Sequence, residues 1–582
     1  MSNKFLICLL ITGIIGVGCV FMLSAYNSPS KEKQGNIPQN RKKSVAIFDY
    51  FNYNGEDDYY KNNPLPDADA FYNPVLPGWY SDPSICTNGE DYFLVTSTFI
   101  YYPGVPIFHS KDLVNWKQIG HVLDRPSQLT HFEGQKTSGG IFAPAISYNP
   151  HNKTYYMITT NVGAGNFFVK TQDPFGSWSE PIFLPEVVGI DPSFFFDEDG
   201  KAYITNNDAP DGVALYDGHR TIRIHEFDVN TDKIIGQSKM IINGGVNLQT
   251  KPIWIEGPHI YKINGKYLLM AAEGGTSDNH SEVIFTSDSP MGDYIPWKGN
   301  PILTQRHLNA NRPNPITCAG HADLVQTKEG DWWAVFLACR PISDKIENLG
   351  RETFLVPVRW TEDGFPYMTK GEELVPMIVK RKGVTRNEET TFGNFEKNDN
   401  FDSEQLNLEW FTLRAAATDL YSLTDNPGFL SLKCTHISAS EKKTPAFIAR
   451  RLQHHQFECS TKLFFDPSDE SEEAGILIYK DENHQYFLSL GKAGEDLKVS
   501  VEKIGESDKN VLVSQIISDS KIPVYLKIIS TGLTFEFYYA EQPDNWKQLC
   551  KNVDVSYLST KNAGGFTGTV IGMYATKNND NK

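Results

Sequence analysis

The chain has 582 residues, 40% of them hydrophobic, 21% charged and 12% aromatic, a composition that excludes wholesale disorder and is long enough for more than one packed core. A formal net charge of -17 excludes a nucleic-acid partner, which would require a lysine- and arginine-rich face to neutralise phosphates. A neutral polymer such as an oligosaccharide or polysaccharide is compatible with that charge, and abundant aromatics suit stacking on sugar rings.

The first 25 residues read as an export signal. Lys4 precedes an apolar run over residues 5–23, and no later stretch is apolar enough to span a bilayer. Gly16-Val17-Gly18-Cys19 resembles a loose lipobox, so either Cys19 is lipidated and attaches the chain to a membrane, or the signal is cleaved near Ala25 or kept as an anchor. Both imply an exported protein, periplasmic or at the cell surface. Residues 26–70 are expected to be a polar tether and lead-in.

From residue 71 to about 380, helical periodicity is nearly absent and one β-rich unit recurs. Its openings are Asp82-Pro83-Ser84-Ile85, Ala143-Pro144-Ala145-Ile146, Asp191-Pro192-Ser193-Phe194, Gly257-Pro258-His259-Ile260 and His321-Ala322-Asp323-Leu324. Each leads into a turn such as Asn88-Gly89 or Asn264-Gly265 and then an aromatic second strand, which is a hairpin signal. Intervals of roughly 50 to 65 residues allow four strands and long loops per unit, so five openings predict a five-bladed β-propeller. After a polar linker, residues 395–578 show short alternating strands at 428–433, 474–479, 485–490, 524–529 and 534–539, predicting a concanavalin-like β-sandwich and an all-β protein of two domains. Cys86, Cys318, Cys339, Cys434, Cys459 and Cys550 show no metal-binding spacing; buried free thiols are expected, with Cys318–Cys339 or Cys434–Cys459 disulfides as the alternative.

In a propeller the innermost strands line the axis, so equivalent openings converge there. They bring Asp82, Asp191, His321 and Glu256, the last one residue ahead of its opening, to one mouth, with Phe142 and Ala143 as an apolar wall. A lone Asp-Pro is commonly a turn element, whereas recurrence at equivalent positions points to a shared site. Clustered carboxylates push one another's pKa values apart, which is what glycoside hydrolysis requires of its acid and base.

The segment over residues 73–376 resembles the inverting glycosidases of glycoside hydrolase family 43, in their β-xylosidase and α-L-arabinofuranosidase branch. The matching stretches include Asn73-Pro74-Val75-Leu76-Pro77-Gly78, Ser81-Asp82-Pro83-Ser84-Ile85, Ser97-Thr98-Phe99, Ala272-Glu273-Gly274-Gly275-Thr276, Gly320-His321-Ala322 and Gly350-Arg351-Glu352-Thr353. Asp399-Asn400-Phe401-Asp402 and Ala474-Gly475-Ile476-Leu477 resemble the sandwich that follows the propeller in that branch.

The resemblance implies an exo-acting hydrolase that releases pentose from xylan or arabinoxylan oligosaccharides, a β-D-xylosidase in the main reading and an α-L-arabinofuranosidase in the alternative. It implies Asp82 as general base, Glu256 as general acid and Asp191 as the residue that raises the acid's pKa. Arg351 and Thr276 would bind the sugar between Phe99 and Phe142, although tryptophan is common at the Phe142 position. No cofactor is required. His321 either faces a water-coordinated structural calcium or is a satisfied core histidine, and Phe566 is either core or a subsite wall. A retaining fructosidase would carry Asn-Asp-Pro-Asn and Arg-Asp-Pro signatures, which are absent. A non-catalytic carbohydrate-binding lipoprotein would lose a carboxylate, and all three are present.

Overall fold

The computed structural model describes residues 37–343, 346–506, 509–517 and 523–578; the apolar run and Cys19 lie outside them. No helix among the described residues is long and apolar enough to cross a membrane.

Five antiparallel sheets form the propeller. Their innermost strands are Ser84–Thr87, Ile141–Asn149, Ile190–Phe196, Glu256–Ile263 and Thr317–Gln326. Each packs beside the next, and the fifth returns to the first, which closes the ring. The hairpins form where turn chemistry permits: Asn264 and Gly265 both adopt positive φ, the type I′ geometry that matches strand twist. The fifth sheet has three strands, and its outer strand Glu352–Pro357 is met by a bridge from Leu76 to Thr353, so the start of the propeller seals its last blade.

The second domain packs two sheets face to face. One runs from Ala446–Arg451 through Val570–Lys577, Glu472–Asp481, His484–Ala493 and Asp496–Ile504 to Lys509–Ile517. The other contains Gln456–Phe464, Val524–Thr531, Thr534–Ala540 and, unexpectedly, Val45–Gly55. The expectation that residues 26–70 are only tether and lead-in is therefore corrected. Val45–Gly55 pairs with Gln456–Phe464, Leu430–Lys433 and Glu396–Asp399, burying Ala46, Phe48, Phe51 and Tyr53 in the sandwich core. Its apolar residues shift phase at a bulge between Phe48 and Phe51, and its partners lie some 400 residues away, so local alternation did not expose it. The six described cysteines are free thiols.

The sandwich is locked to the propeller beside the axial mouth. Thr412–Leu413 pairs with Tyr101–Tyr102, and Arg451 lies 4.2 Å from the ring centroids of both Trp79 and Tyr80 while its Nε donates to Trp79 O at 2.9 Å. Trp79, Phe99 and Tyr101 share one buried cluster with Phe411, Phe447 and Tyr479. An interface of buried aromatics and paired strands places sandwich residues on the propeller with little freedom.

Candidate active site

The inner strands open on residues that leave the ordinary strand conformation. Asp82, Asp191, Gly257 and His321 have φ of 52°, 53°, 57° and 54°, the left-handed region that side-chain-bearing residues avoid. The same departure at equivalent positions of four blades breaks strand alternation at the axis and puts these side chains on the pocket wall. Glu256 precedes the left-handed residue of its blade, which is why it stands one position out of register. Gly257 has no alternative, since a Cβ there would lie 2.8 Å from Nε2 of His321.

A pocket of about 320 Å³ forms at this mouth, and all eight expected site residues line it: Asp82, Phe99, Phe142, Asp191, Glu256, Thr276, His321 and Arg351. Phe566 lines it too, which decides between its two readings: the sandwich supplies part of the wall. Its ring stacks on Phe99 at 6.3 Å and meets Phe142 edge-on at 5.8 Å, its backbone N–H donates to Ser138 Oγ at 2.9 Å, and the Arg351 guanidinium lies 5.4 Å from its centroid.

The three carboxyls are almost fully buried, each 5% exposed, yet their proton affinities differ in direction. Burial alone would raise the pKa of Asp82. Arg351 at 3.1 Å, His321 at 3.8 Å and a hydrogen bond donated by Ser97 at 2.6 Å outweigh it and hold Asp82 below the usual carboxylate range. Among the described residues Asp191 has only the Gly257 N–H, at 3.2 Å, as a hydrogen-bond partner, and burial with the Asp82 charge pushes it up to about 7. Glu256 is driven well above its ordinary value by burial first, then by Asp191 and Asp82. Asp191 and Glu256 titrate as an interacting pair. Burial, with help from His259 and Arg351, lowers His321 to about 4, so its ring is neutral at ordinary pH.

Ligand atoms of Asp191, Glu256 and His321 all lie within 4.8 Å of one another, whereas the Asp82 carboxylate is occupied by Arg351 and Ser97. The pocket thus holds one carboxylate kept ionised and one carboxyl kept protonated, with apolar rings on one side and a guanidinium fork on another. That is a proton donor and a proton acceptor around a space fit for a small polar ring.

Sequence reasoning missed Ile190, Ile253, Trp254 and Ser97. Trp254 lines the pocket at φ 58°, hydrogen-bonds the Glu256 side chain and carries Arg220 4.1 Å from its ring centroid. Trp254 and Ile253 sit in the loop before the fourth blade, outside the repeat, and nothing in their local sequence marked them.

Fold and pocket together define a propeller-type glycoside hydrolase. The profile of "Glycosyl hydrolases family 43" matches residues 71–366, and that of the "Beta xylosidase C-terminal Concanavalin A-like domain" matches residues 398–582. A Butyrivibrio fibrisolvens protein named xylosidase/arabinosidase is 39% identical over 87% of this chain and 96% of its own length. A non-reducing end α-L-arabinofuranosidase from Bacteroides ovatus is 36% identical over 88% and 92%. Among solved structures, a GH43_12 protein retrieved from capybara gut metagenome superposes with a TM-score of 0.85 at 41% identity, covering 92% of this chain and all of that one. The chain belongs to glycosyl hydrolases family 43. Enzymes of this family generally need no cofactor.

Proposed function

We propose that the protein is an inverting, exo-acting β-D-xylosidase that releases pentose from xylan or arabinoxylan oligosaccharides, with Asp82 as base, Glu256 as acid and Asp191 as the modulator of that acid. The observation that carries the reading is the split of proton affinities in one pocket, with Asp82 held low by Arg351 and Glu256 held high by burial and Asp191. Asp82 takes a proton from a water that attacks the anomeric carbon, Glu256 gives its proton to the departing glycosidic oxygen, and configuration inverts in one displacement. Phe99, Phe142 and Phe566 exclude solvent, while Arg351 and Thr276, which line the same pocket, hold the sugar hydroxyls in this reading.

An α-L-arabinofuranosidase activity, alone or beside the first, is the second reading. It is favoured by Phe142, where tryptophan is common among β-xylosidases, and by the names of the two relatives. Proton NMR of the first-formed sugar from aryl β-D-xyloside and aryl α-L-arabinofuranoside decides both points. The product anomer is expected to be opposite to the substrate's, and a retained anomer would remove the mechanism.

Asp191 carries its own test. Replacing it with Asn removes a negative charge that favours the protonated form of Glu256, so the pKa of Glu256 falls and the alkaline limb of kcat/KM moves to lower pH, by about one unit. Burial, the larger cause, remains and keeps the shift partial. A limb that stays in place or moves upward would refute the assignment.

His321 is proposed as a neutral positioning group for Asp82. Calcium takes six to eight oxygen ligands, and the trio of Asp191, Glu256 and His321 offers one nitrogen and two carboxyls, one of which must keep its proton. These side chains do not fit a directly ligated calcium; one held through water would call only on His321. Export with lipidation at Cys19 is supported by the apolar run and the residues before Cys19, and fatty-acid labelling that is lost in Cys19→Ser checks it.

A further inference from the structure

The catalytic pocket is the inner end of a longer trough. Thr276, Arg351 and Phe566 border both the pocket and a neighbouring cavity of about 340 Å³. That cavity shares Asp278, Thr317 and Pro341 with a third one, of about 580 Å³, larger than either. The third is built from the loop after the second strand of blade four, the segment between Leu303–Thr304 and the first strand of blade five, and the loop after the second strand of blade five. An exo-acting enzyme needs the inner pocket for one sugar, and the remaining sugars of the leaving group must lie outside it. The trough is the room available to them.

The chemistry of the outer cavity differs from that of the inner pocket. No aromatic residue lines it, so it offers no stacking platform for a sugar face. Among the described residues it presents two guanidinium groups, Arg306 and Arg312, and one carboxylate, Asp278, which lies at the end shared with the inner cavity. Arg125, Arg223, Arg359 and Arg381 elsewhere on the propeller each pair with a carboxylate. Among the described residues neither Arg306 nor Arg312 forms an ion pair, although the Arg306 charge reaches the Glu273 carboxyl. Arg306 is exposed and makes only long contacts, to Ser281 Oγ at 3.3 Å and Asn279 O at 3.4 Å. Arg312 is half-buried and bound to the carbonyls of Asn309, at 3.0 Å, and Ile316. Arg220 and Arg386 also lack a carboxylate partner among the described residues, but Arg220 stacks on Trp254 and Arg386 is bound to backbone carbonyls, whereas Arg306 and Arg312 line one cavity together.

We infer that the outer cavity binds the leaving-group portion of a glycan bearing a carboxylate, a uronic-acid substituent on the chain, through Arg306 and Arg312. A guanidinium fork matches a carboxylate in plane and pairing, which a neutral hydroxyl does not reproduce. Arg312 is pre-set by its loop carbonyls, and Arg306 supplies the free donor face. The inference rests on the exo-hydrolase reading of the inner pocket and adds the class of substrate it prefers.

The test compares xylotetraose with xylotetraose carrying one glucuronic acid on an internal unit, in the full-length enzyme and in Arg306→Gln and Arg312→Gln. The wild-type enzyme is expected to show a KM three- to tenfold lower for the acidic substrate, a preference that fades as salt is raised because the pair is solvent-accessible. Arg306→Gln should erase that preference without changing activity on an aryl pentoside, and since Arg306 is exposed its removal leaves the fold intact. Arg312→Gln should do the same, with thermal melting reporting any loosening of its loop. Equal KM values for the two substrates, or a preference that survives in Arg306→Gln, would overturn the inference. Calorimetric binding of both oligosaccharides to Asp82→Asn separates the two layers: charge-dependent binding without turnover by the wild type counts against the proposed function, and charge-independent binding counts against the inference alone.

Discussion

Asp82→Asn is expected to reduce kcat on an aryl pentoside by at least about 10³-fold while changing sugar affinity by less than about threefold. The amide has the shape of the carboxylate: its one oxygen still accepts the Arg351 N–H and its NH2 donates to the Ser97 hydroxyl oxygen in place of the bond Ser97 now donates, so the wall of the pocket stays in place. It cannot take a proton from water. The three groups that hold Asp82 below the usual carboxylate range keep the base ionised, so the loss reports the missing proton acceptor and not a shifted titration. Measured kcat within tenfold of wild type, on protein shown by melting to be folded, would remove Asp82 from the role of base.

Glu256→Gln is expected to lose activity in proportion to how badly the leaving group needs a proton. For a xylo-oligosaccharide the departing oxygen is a poor leaving group, and a loss of about 10³-fold or more is expected. For a dinitrophenyl pentoside, whose phenolate departs unaided, the loss should stay within about tenfold. The alkaline limb of the pH profile should vanish on the activated substrate as well, since the group whose deprotonation causes it is gone. Burial and the neighbouring Asp191 keep that proton on Glu256 in the wild type. Equal losses on the two substrates would show that Glu256 does not act as the acid, whatever else it supports.

Much of this site was legible in the chain because the fold repeats itself. Asp82 and Asp191 stand at the same point of two units, and both prove to be left-handed residues ahead of a proline at the start of an inner strand. Glu256 was legible as an offset, and the structure gives the reason: its blade places a glycine at the left-handed position, because the His321 ring occupies the space a side chain would fill. Five openings predicted five blades, since strand alternation and turn chemistry are local properties that sequence records directly.

Tertiary structure alone decided the rest. The sequence determined an all-β chain, the repeat, and the three carboxyls that the repeat carries to the axis. It did not determine that Val45–Gly55 is a strand of the distant sandwich, that Phe566 crosses from that sandwich to the pocket wall, or that Trp254 meets Glu256 from a loop outside the repeat. Nor did it determine the proton affinities. Three acids in one mouth say only that their pKa values must separate; Arg351, Ser97 and the depth of burial decide which one stays charged. Periodicity is written between neighbours along the chain, whereas electrostatics and walls depend on atoms hundreds of residues apart that only closure of the ring and docking of the sandwich bring within reach.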